Sequence, residues 1–173
     1  PYVDIMKDYL NTNHTYLTCR YDMLADLLYD SVDSRCLPTM ADVDSSLLYF
    51  CGEVAKKHKV ALTGECADEI FGGYPWFHKE EMLKAGTFPW MRDISFRKSI
   101  LNPEFAAALH MEQYIANAYE RSLSEIDILP EENELEISRR RVSYLNIRWF
   151  MQTLLDRMDR TSMHHGLEAR VPF

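Results

Sequence analysis

Basic side chains are in short supply in this chain. Nineteen Lys and Arg face 27 Asp and Glu, for a net charge of -8 and a pI near 5.2. That balance argues against nucleic acid or an anionic membrane surface as the main partner. Proline and glycine are also modest, at seven and six, and no low-complexity tract or internal repeat occurs, which excludes a disordered chain. No apolar run approaches membrane-span length, and no signal-peptide pattern is present. The four cysteines, Cys19, Cys36, Cys51 and Cys66, are irregularly spaced, without a CxxC or Cys/His pattern of zinc type. Reduced thiols in a cytoplasmic protein are the expectation.

What is present is enough apolar material for one domain with a core: 47% of 173 residues. Thr15-Tyr16-Leu17-Thr18 is a candidate short strand. Asp22 is placed to cap a helix to about Asp33, with Leu24, Leu27, Leu28 and Val32 at helical spacing. Cys36-Leu37-Pro38 breaks it. A second helix is expected from Asp42 to about His58, with Val43, Leu47, Phe50, Cys51 and Val54 on its apolar face and lysines at its carboxyl end. Packing is the expected job of Cys51. Helices follow over Trp76–Lys84, from the Asn102-Pro103 cap to about Leu123, and from Pro130 to about Leu155. Trp90–Leu101 reads as irregular or a short helix. Arg139-Arg140-Arg141 reads as a solvated face, and Tyr144, Trp149, Phe150 and Met151 as core.

Between these helices lies the stretch Lys59 to Tyr74. Val60-Ala61-Leu62 suits a buried parallel strand, ended by Thr63-Gly64. Glu65, Asp68 and Glu69 follow, and Gly72-Gly73 closes the segment. Acidic side chains beyond a strand's carboxyl end stand where open α/β sheets bind ligands. With no Lys or Arg close by in sequence, three carboxylates there suggest a cation as partner. A helix first turn that favours acids for dipole reasons is the alternative.

Thr63-Gly64-Glu65-Cys66-Ala67-Asp68-Glu69-Ile70-Phe71-Gly72-Gly73-Tyr74 closely resembles the signature Ser-Gly-Glu-Gly-Ala-Asp-Glu-(Ile/Val)-Phe-Gly-Gly-Tyr of glutamine-hydrolysing asparagine synthetases. The run Leu155 to Phe173, with Asp159-Arg160-Thr161-Ser162-Met163 and Leu167-Glu168-Ala169-Arg170-Val171-Pro172-Phe173, resembles a second signature of the same domain. The likeness spans about Leu37 to the last residue. It implies a helix-rich α/β fold, part of a parallel-sheet ATP-pyrophosphatase (adenine nucleotide alpha-hydrolase-like) domain with an extra helical layer. Residues 1–173 would be an incomplete synthetase domain cut from a longer enzyme. Its pyrophosphate loop would lie upstream, and a lysine-bearing segment downstream.

The activity so implied is ATP-dependent conversion of aspartate to asparagine through β-aspartyl-AMP, with release of pyrophosphate. The cofactors would be ATP and Mg²⁺, and the acidic chain would take its nucleotide together with that metal. The implied partners are aspartate, ATP and ammonia or glutamine, with a glutaminase domain on the same parent chain; a homodimer stays open. By the resemblance, the backbone of Thr63 and Gly64 lies against the nucleotide, where glycine permits close approach. Glu65 stands beside the reacting α-phosphate and aspartate, to orient aspartate or take a proton as ammonia attacks. Asp68 helps hold Mg²⁺ on the pyrophosphate. Glu69 is open between capping, support and direct contact, and Cys66 stands where the family has glycine.

Asp159, Arg160, Glu168 and Arg170 are candidates for a charged wall of the aspartate pocket, or for a structural ion-pair network. His164-His165 reads as structural or solvent-facing. Asp42-Val43-Asp44-Ser45-Ser46 looks like the end of a Ser-Gly-Gly-x-Asp-Ser-Ser phosphate loop but lacks the glycines and the preceding strand. It reads as a helix start. Two rivals to the synthetase reading remain: a related AMP-forming enzyme such as a β-lactam-forming synthetase, and a non-catalytic helical interaction domain.

Overall fold

A computed structural model describes residues 2–38 and 41–171, except for the side chains of Ala41 and Asp42. The side chain of Asp42, where the second helix is expected to start, and the Pro172-Phe173 end of the second signature, lie outside the described residues. In chain order the elements are α1 (Tyr2–Leu10), α2 (Tyr21–Asp26), α3 (Leu28–Arg35), α4 (Ala41–Ala55), β1 (Val60–Leu62) and α5 (Ala67–Phe71). A 3-10 turn (Pro75–Phe77) precedes α6 (Glu80–Leu83), α7 (Ser95–Ser99), α8 (Pro103–Ala108), α9 (Met111–Ser124) and α10 (Glu134–Leu145). A π-helical segment (Asn146–Met151) leads into α11 (Gln152–His164) and β2 (Glu168–Arg170). The fold is therefore helix-rich α/β, with one small parallel sheet among the described residues.

Contacts divide the chain into two compact units: Pro1–Leu62 with Arg157–Arg170, and Thr63–Asp156 with Val171–Phe173. In the first, β1 pairs in parallel with β2, Ala61 opposite Ala169. The Glu168 amide extends the ladder by donating to the Lys59 carbonyl at 2.9 Å. Side chains alternate across a strand, so only Ala61 and Ala169 turn onto the core of Cys51, Met158 and Leu167. Cys51 is 1% exposed and takes the packing role expected of it; burial raises its thiol pKa to about 11. The strand predicted over Val60–Leu62 is parallel but not buried. Val60 and Leu62 are exposed because two strands cover only one face at one position.

Three further expectations change in this unit. Residues 12–20 carry no strand; without a partner, a four-residue strand would leave its backbone groups unpaired. Tyr16 is exposed there, its hydroxyl donating to Asp4 at 2.9 Å. The helix expected over Asp22–Asp33 is two, broken at Leu27, and α2 and α3 each pack on α4. Asp22 lies inside the first turn of α2, paired with Arg20, and caps nothing from outside. Asp44-Ser45-Ser46 is helical, as expected, with Asp44 and Ser45 buried in α4.

In the second unit, Phe88, Ala118 and Leu145 form the core, ringed by Trp90, Met91, Ile115, Tyr119, Leu123 and Trp149. Trp149 keeps its indole N–H satisfied by donating to Ser122 Oγ at 2.8 Å. Asn102 caps α8 through the amides of Glu104 and Phe105. The helix expected to run on to Leu123 breaks instead at His110, whose φ is +46°, and restarts as α9. The expected Trp76–Lys84 helix is the 3-10 turn followed by α6. The helix expected from Pro130 begins only at Glu134, where Asn133 and Glu136 form a reciprocal capping box. It runs past Leu155 through the π-helical segment to His164. That segment packs against α5. Arg139 and Arg141 are exposed, as a solvated face requires, while Arg140 pairs with Glu132.

Candidate functional site

The Thr63–Tyr74 stretch is built within the second unit. Thr63 and Gly64 have no regular structure, Glu65 and Cys66 form a turn, and α5 spans only Ala67–Phe71. Cys66 holds the N-cap position with φ +75°. Left-handed backbone at a residue with a Cβ costs about 1–2 kcal/mol, and it is the conformation for which glycine is the usual choice. The Cys66 side chain is nonetheless buried, at 3% exposure. Burial, then the charges of Glu69 and Glu65, push its thiol pKa up. A thiol kept protonated in this way is a poor nucleophile. At the other end, Gly72 caps α5 with φ +71°, and the Gly73 amide donates to the Asp68 carbonyl at 2.9 Å.

The three carboxylates of the turn occupy three environments. Glu65 is half-buried and Asp68 is exposed. Glu69 is 2% exposed and accepts a hydrogen bond from the Tyr74 hydroxyl at 2.6 Å. For Glu69, then, the partner expected to be a cation is a phenol. Burial, followed by the hydrogen bond and charge of Glu69 and the charges of Asp68 and Glu65, raises the Tyr74 pKa well above the ordinary tyrosine range.

The glycines differ in what they make room for. A Cβ on Gly73 would stand 1.8 Å from Asp68 Oδ1 and 2.7 Å from its Cγ, so the missing side chain is what lets the Asp68 carboxylate lie against the backbone there. A Cβ on Gly64 would meet no atom within 4 Å. Neither its φ nor a neighbour in this chain demands glycine at position 64. The Thr63 hydroxyl oxygen is buried without a hydrogen-bond partner among the described residues.

Thr63, Gly64, Glu65, Asp68 and Glu69 thus come together in one turn. Asp159 and Arg160 belong to the first unit, on α11, and both are exposed. Arg160 donates to the Arg35 carbonyl at 3.4 Å, at the carboxyl end of α3. A cationic side chain suits unsatisfied carbonyls there. Arg35 in turn pairs with buried Asp44 at 3.5 Å. Glu168 and Arg170 pair with each other on one face of β2 at 2.8 Å. Arg160, Glu168 and Arg170 thus each have a partner within the first unit. His165 lies against Gly52, where a Cβ would be 3.2 Å from its ring.

Sequence reasoning missed β2, whose charged Glu168 and Arg170 hide the strand pattern, and it gave Tyr74 no role. The available signal for Tyr74 was its position just past a Gly-Gly turn from an acidic residue, where the returning chain can reach back.

No group of three or more His, Cys, Asp or Glu side chains forms a self-contained metal cage among the described residues. An exposed carboxylate such as Asp68 still fits Mg²⁺, which is commonly held by one or two carboxylates plus substrate phosphates and water. Among the described residues, no helix is long and apolar enough to cross a membrane.

The sequence model of a family described as asparagine synthase matches residues 1–173. The chain is 45% identical to asparagine synthetase (glutamine-hydrolyzing) 3 of Bacillus subtilis (strain 168), over 100% of this chain and 28% of that protein. It is 30% identical to asparagine synthetase (glutamine-hydrolyzing) 1 of the same organism, over 78% of this chain and 26% of that protein. The chain therefore spans little more than a quarter of the length of these relatives.

Proposed function

This chain belongs to the asparagine synthase family, and on that premise we propose that it is part of a synthetase domain that makes asparagine from aspartate. In this reading the side-chain carboxylate of aspartate attacks the α-phosphorus of ATP and expels pyrophosphate, giving β-aspartyl-AMP. Ammonia then attacks the activated carbonyl, AMP leaves, and the ammonium proton is lost. A carboxylate becomes an acyl donor only once a good leaving group is attached. The protein's part is therefore mostly positioning and charge complementarity.

The turn's own residues divide that work. The backbone at Thr63 and Gly64 would lie against the nucleotide; the open space over Gly64 and the unpartnered Thr63 hydroxyl support this. Glu65, half-buried at the start of the turn, would orient aspartate or accept the proton released as ammonia attacks. Asp68, exposed and laid over Gly73, would hold Mg²⁺ together with the phosphates. When bound, Mg²⁺ supplies charge neutralisation to the triphosphate. Arg160 would act in the scaffold, through its hydrogen bond to the Arg35 carbonyl at the end of α3. The single observation that carries the reading is the sorting of the acidic turn, in a chain of this family: one carboxylate is buried on a tyrosine, while Glu65 and Asp68 remain accessible.

The reading extends to the parent protein. Residues 1–173 would be an incomplete part of a parallel-sheet ATP-pyrophosphatase domain, with the β1–β2 pair as part of its sheet. A glutaminase domain on the same chain would supply the ammonia. The test is aspartate-dependent pyrophosphate release from MgATP by the intact parent with ammonia supplied, beside Glu65→Gln and Asp68→Asn. Release that requires aspartate, yields asparagine and collapses in both variants supports the proposal. Release without asparagine moves the substrate to that of a related amide synthetase, and no release removes the catalytic reading.

A further inference from the structure

The Glu69–Tyr74 pair is not needed for any step just described, yet it is the most fully buried polar contact of the turn. Glu69 is the third residue of α5, the position from which a glutamate reaches back to close a capping box. Here no side chain caps α5. The Glu69 carboxylate goes to the Tyr74 hydroxyl, at 2.6 Å and 2% exposure. A buried carboxylate is retained only where a good hydrogen bond compensates its desolvation.

Tyr74 is itself immobilised. Its ring stacks on Trp76 at 4.3 Å with 21° between planes, and it meets Phe150 of the π-helical segment edge-on at 5.3 Å. Phe150 in turn contacts Trp76 and Trp90, at 5.3 Å and 5.2 Å. The turn is therefore pinned at two adjacent points beyond α5. Gly73 admits the Asp68 carboxylate, and Tyr74, the next residue, grips Glu69 from a rigid aromatic layer.

We propose that Tyr74 is a positioning residue for the reaction. By holding Glu69 against the aromatic layer it fixes α5, and with it the placement of Asp68 and Glu65, while Glu69 itself never touches substrate. This rests on the synthetase reading above and assigns the openings left for Glu69 to a single one, support of the residues that do the chemistry.

The test uses the intact parent enzyme and four variants: Tyr74→Phe, which removes the hydroxyl and keeps the ring, Glu69→Gln, the double variant, and Tyr74→Leu. Misplacement of reacting groups by about 1 Å costs on the order of 100-fold in rate. The expectation is a kcat lowered roughly tenfold or more in Tyr74→Phe and in Glu69→Gln, with KM for aspartate and for ATP within about twofold of wild type. The double variant should be no worse than the poorer single one, because the two residues act as a unit. Tyr74→Leu should be worse than Tyr74→Phe.

Glu69→Gln raising KM for aspartate with kcat retained would make Glu69 a substrate contact and overturn the proposal. Wild-type kcat in Tyr74→Phe would overturn it too. So would coupling seen in the urea midpoint but not in kcat, which marks a purely structural pair. A wild-type parent without aspartate-dependent pyrophosphate release, or one indifferent to Glu65→Gln, fails the synthetase reading instead and takes this proposal with it.

Discussion

Replacing Gly73 by alanine tests the metal-site reading without touching any carboxylate. The new Cβ would stand 1.8 Å from Asp68 Oδ1, against a contact limit of 3.0 Å, so that oxygen must retreat by at least 1.2 Å. Asp68 Cβ, at 3.1 Å, need give by only a few tenths of an ångström, and a χ1 rotation of an exposed side chain relieves the rest of the clash. Leaving a preferred rotamer costs about 0.5–1.5 kcal/mol, a modest change in stability. A displacement of about 1 Å in a group that places the phosphates should cost on the order of 100-fold in rate. Gly73→Ala in the intact parent should therefore keep its urea midpoint nearly unchanged while pyrophosphate release falls and the Mg²⁺ concentration for half-activity rises. Mn²⁺ binding in the presence of ATP, followed by paramagnetic resonance, reads the same displacement without turnover, and it should weaken in step with Asp68→Asn. The double variant Gly73→Ala with Asp68→Asn should be no worse than Asp68→Asn alone. Wild-type metal dependence in Gly73→Ala would refute the assignment of Asp68. A large loss of stability would refute the claim that the carboxylate, and not the backbone, absorbs the clash.

At Cys66, left-handed backbone opposes burial of the side chain, so Cys66→Ala should be less stable than wild type by about 1 kcal/mol, having lost the sulfur and kept the strain. Cys66→Gly should be more stable than Cys66→Ala in urea unfolding; the reverse order would mean the turn carries no strain. Asn102 accepts from the amides of Glu104 and Phe105 at 2.9 and 3.3 Å, so Asn102→Ala should cost about 1 kcal/mol, and an unchanged midpoint would remove the cap's role. Burial and the neighbouring His164 lower the His165 pKa below its ordinary value, which means the fold favours its neutral form. Stability should be complete above about pH 6.5, the unfolded value, and decline as pH falls from there through the folded value. His165→Gln should reduce the difference between urea midpoints at pH 8 and pH 5.5; an unchanged difference would place the titration elsewhere.

Elements written in local chemistry are legible in the amino-acid order alone. Val60–Leu62 is a strand because a short apolar β-prone run ends at Thr63-Gly64, and α8 begins at Asn102-Pro103 because a cap and a proline are local instructions. Likewise Cys51 packs because α4 shows one apolar stripe. The gathering of Thr63, Gly64, Glu65, Asp68 and Glu69 in one turn follows from their nearness along the chain, and the family from their order.

What the sequence left undetermined depends on partners distant along the chain. The pairing of β1 with β2 joins residues more than a hundred positions apart, and nothing in Glu168-Ala169-Arg170 taken alone reads as a strand. The break at His110 and the π-helical start at Asn146 fall where helical periodicity along the chain runs on unmarked. Above all, the burial and partners of the three carboxylates are set only by their surroundings. Glu69 is buried because Tyr74 returns from the Gly72-Gly73 turn braced by Trp76 and Phe150, while Asp68, one residue earlier, stays at the surface over a glycine. Desolvation and hydrogen bonding are properties of a place in three dimensions, so the residue types present were set by the sequence, and their separate environments by the fold.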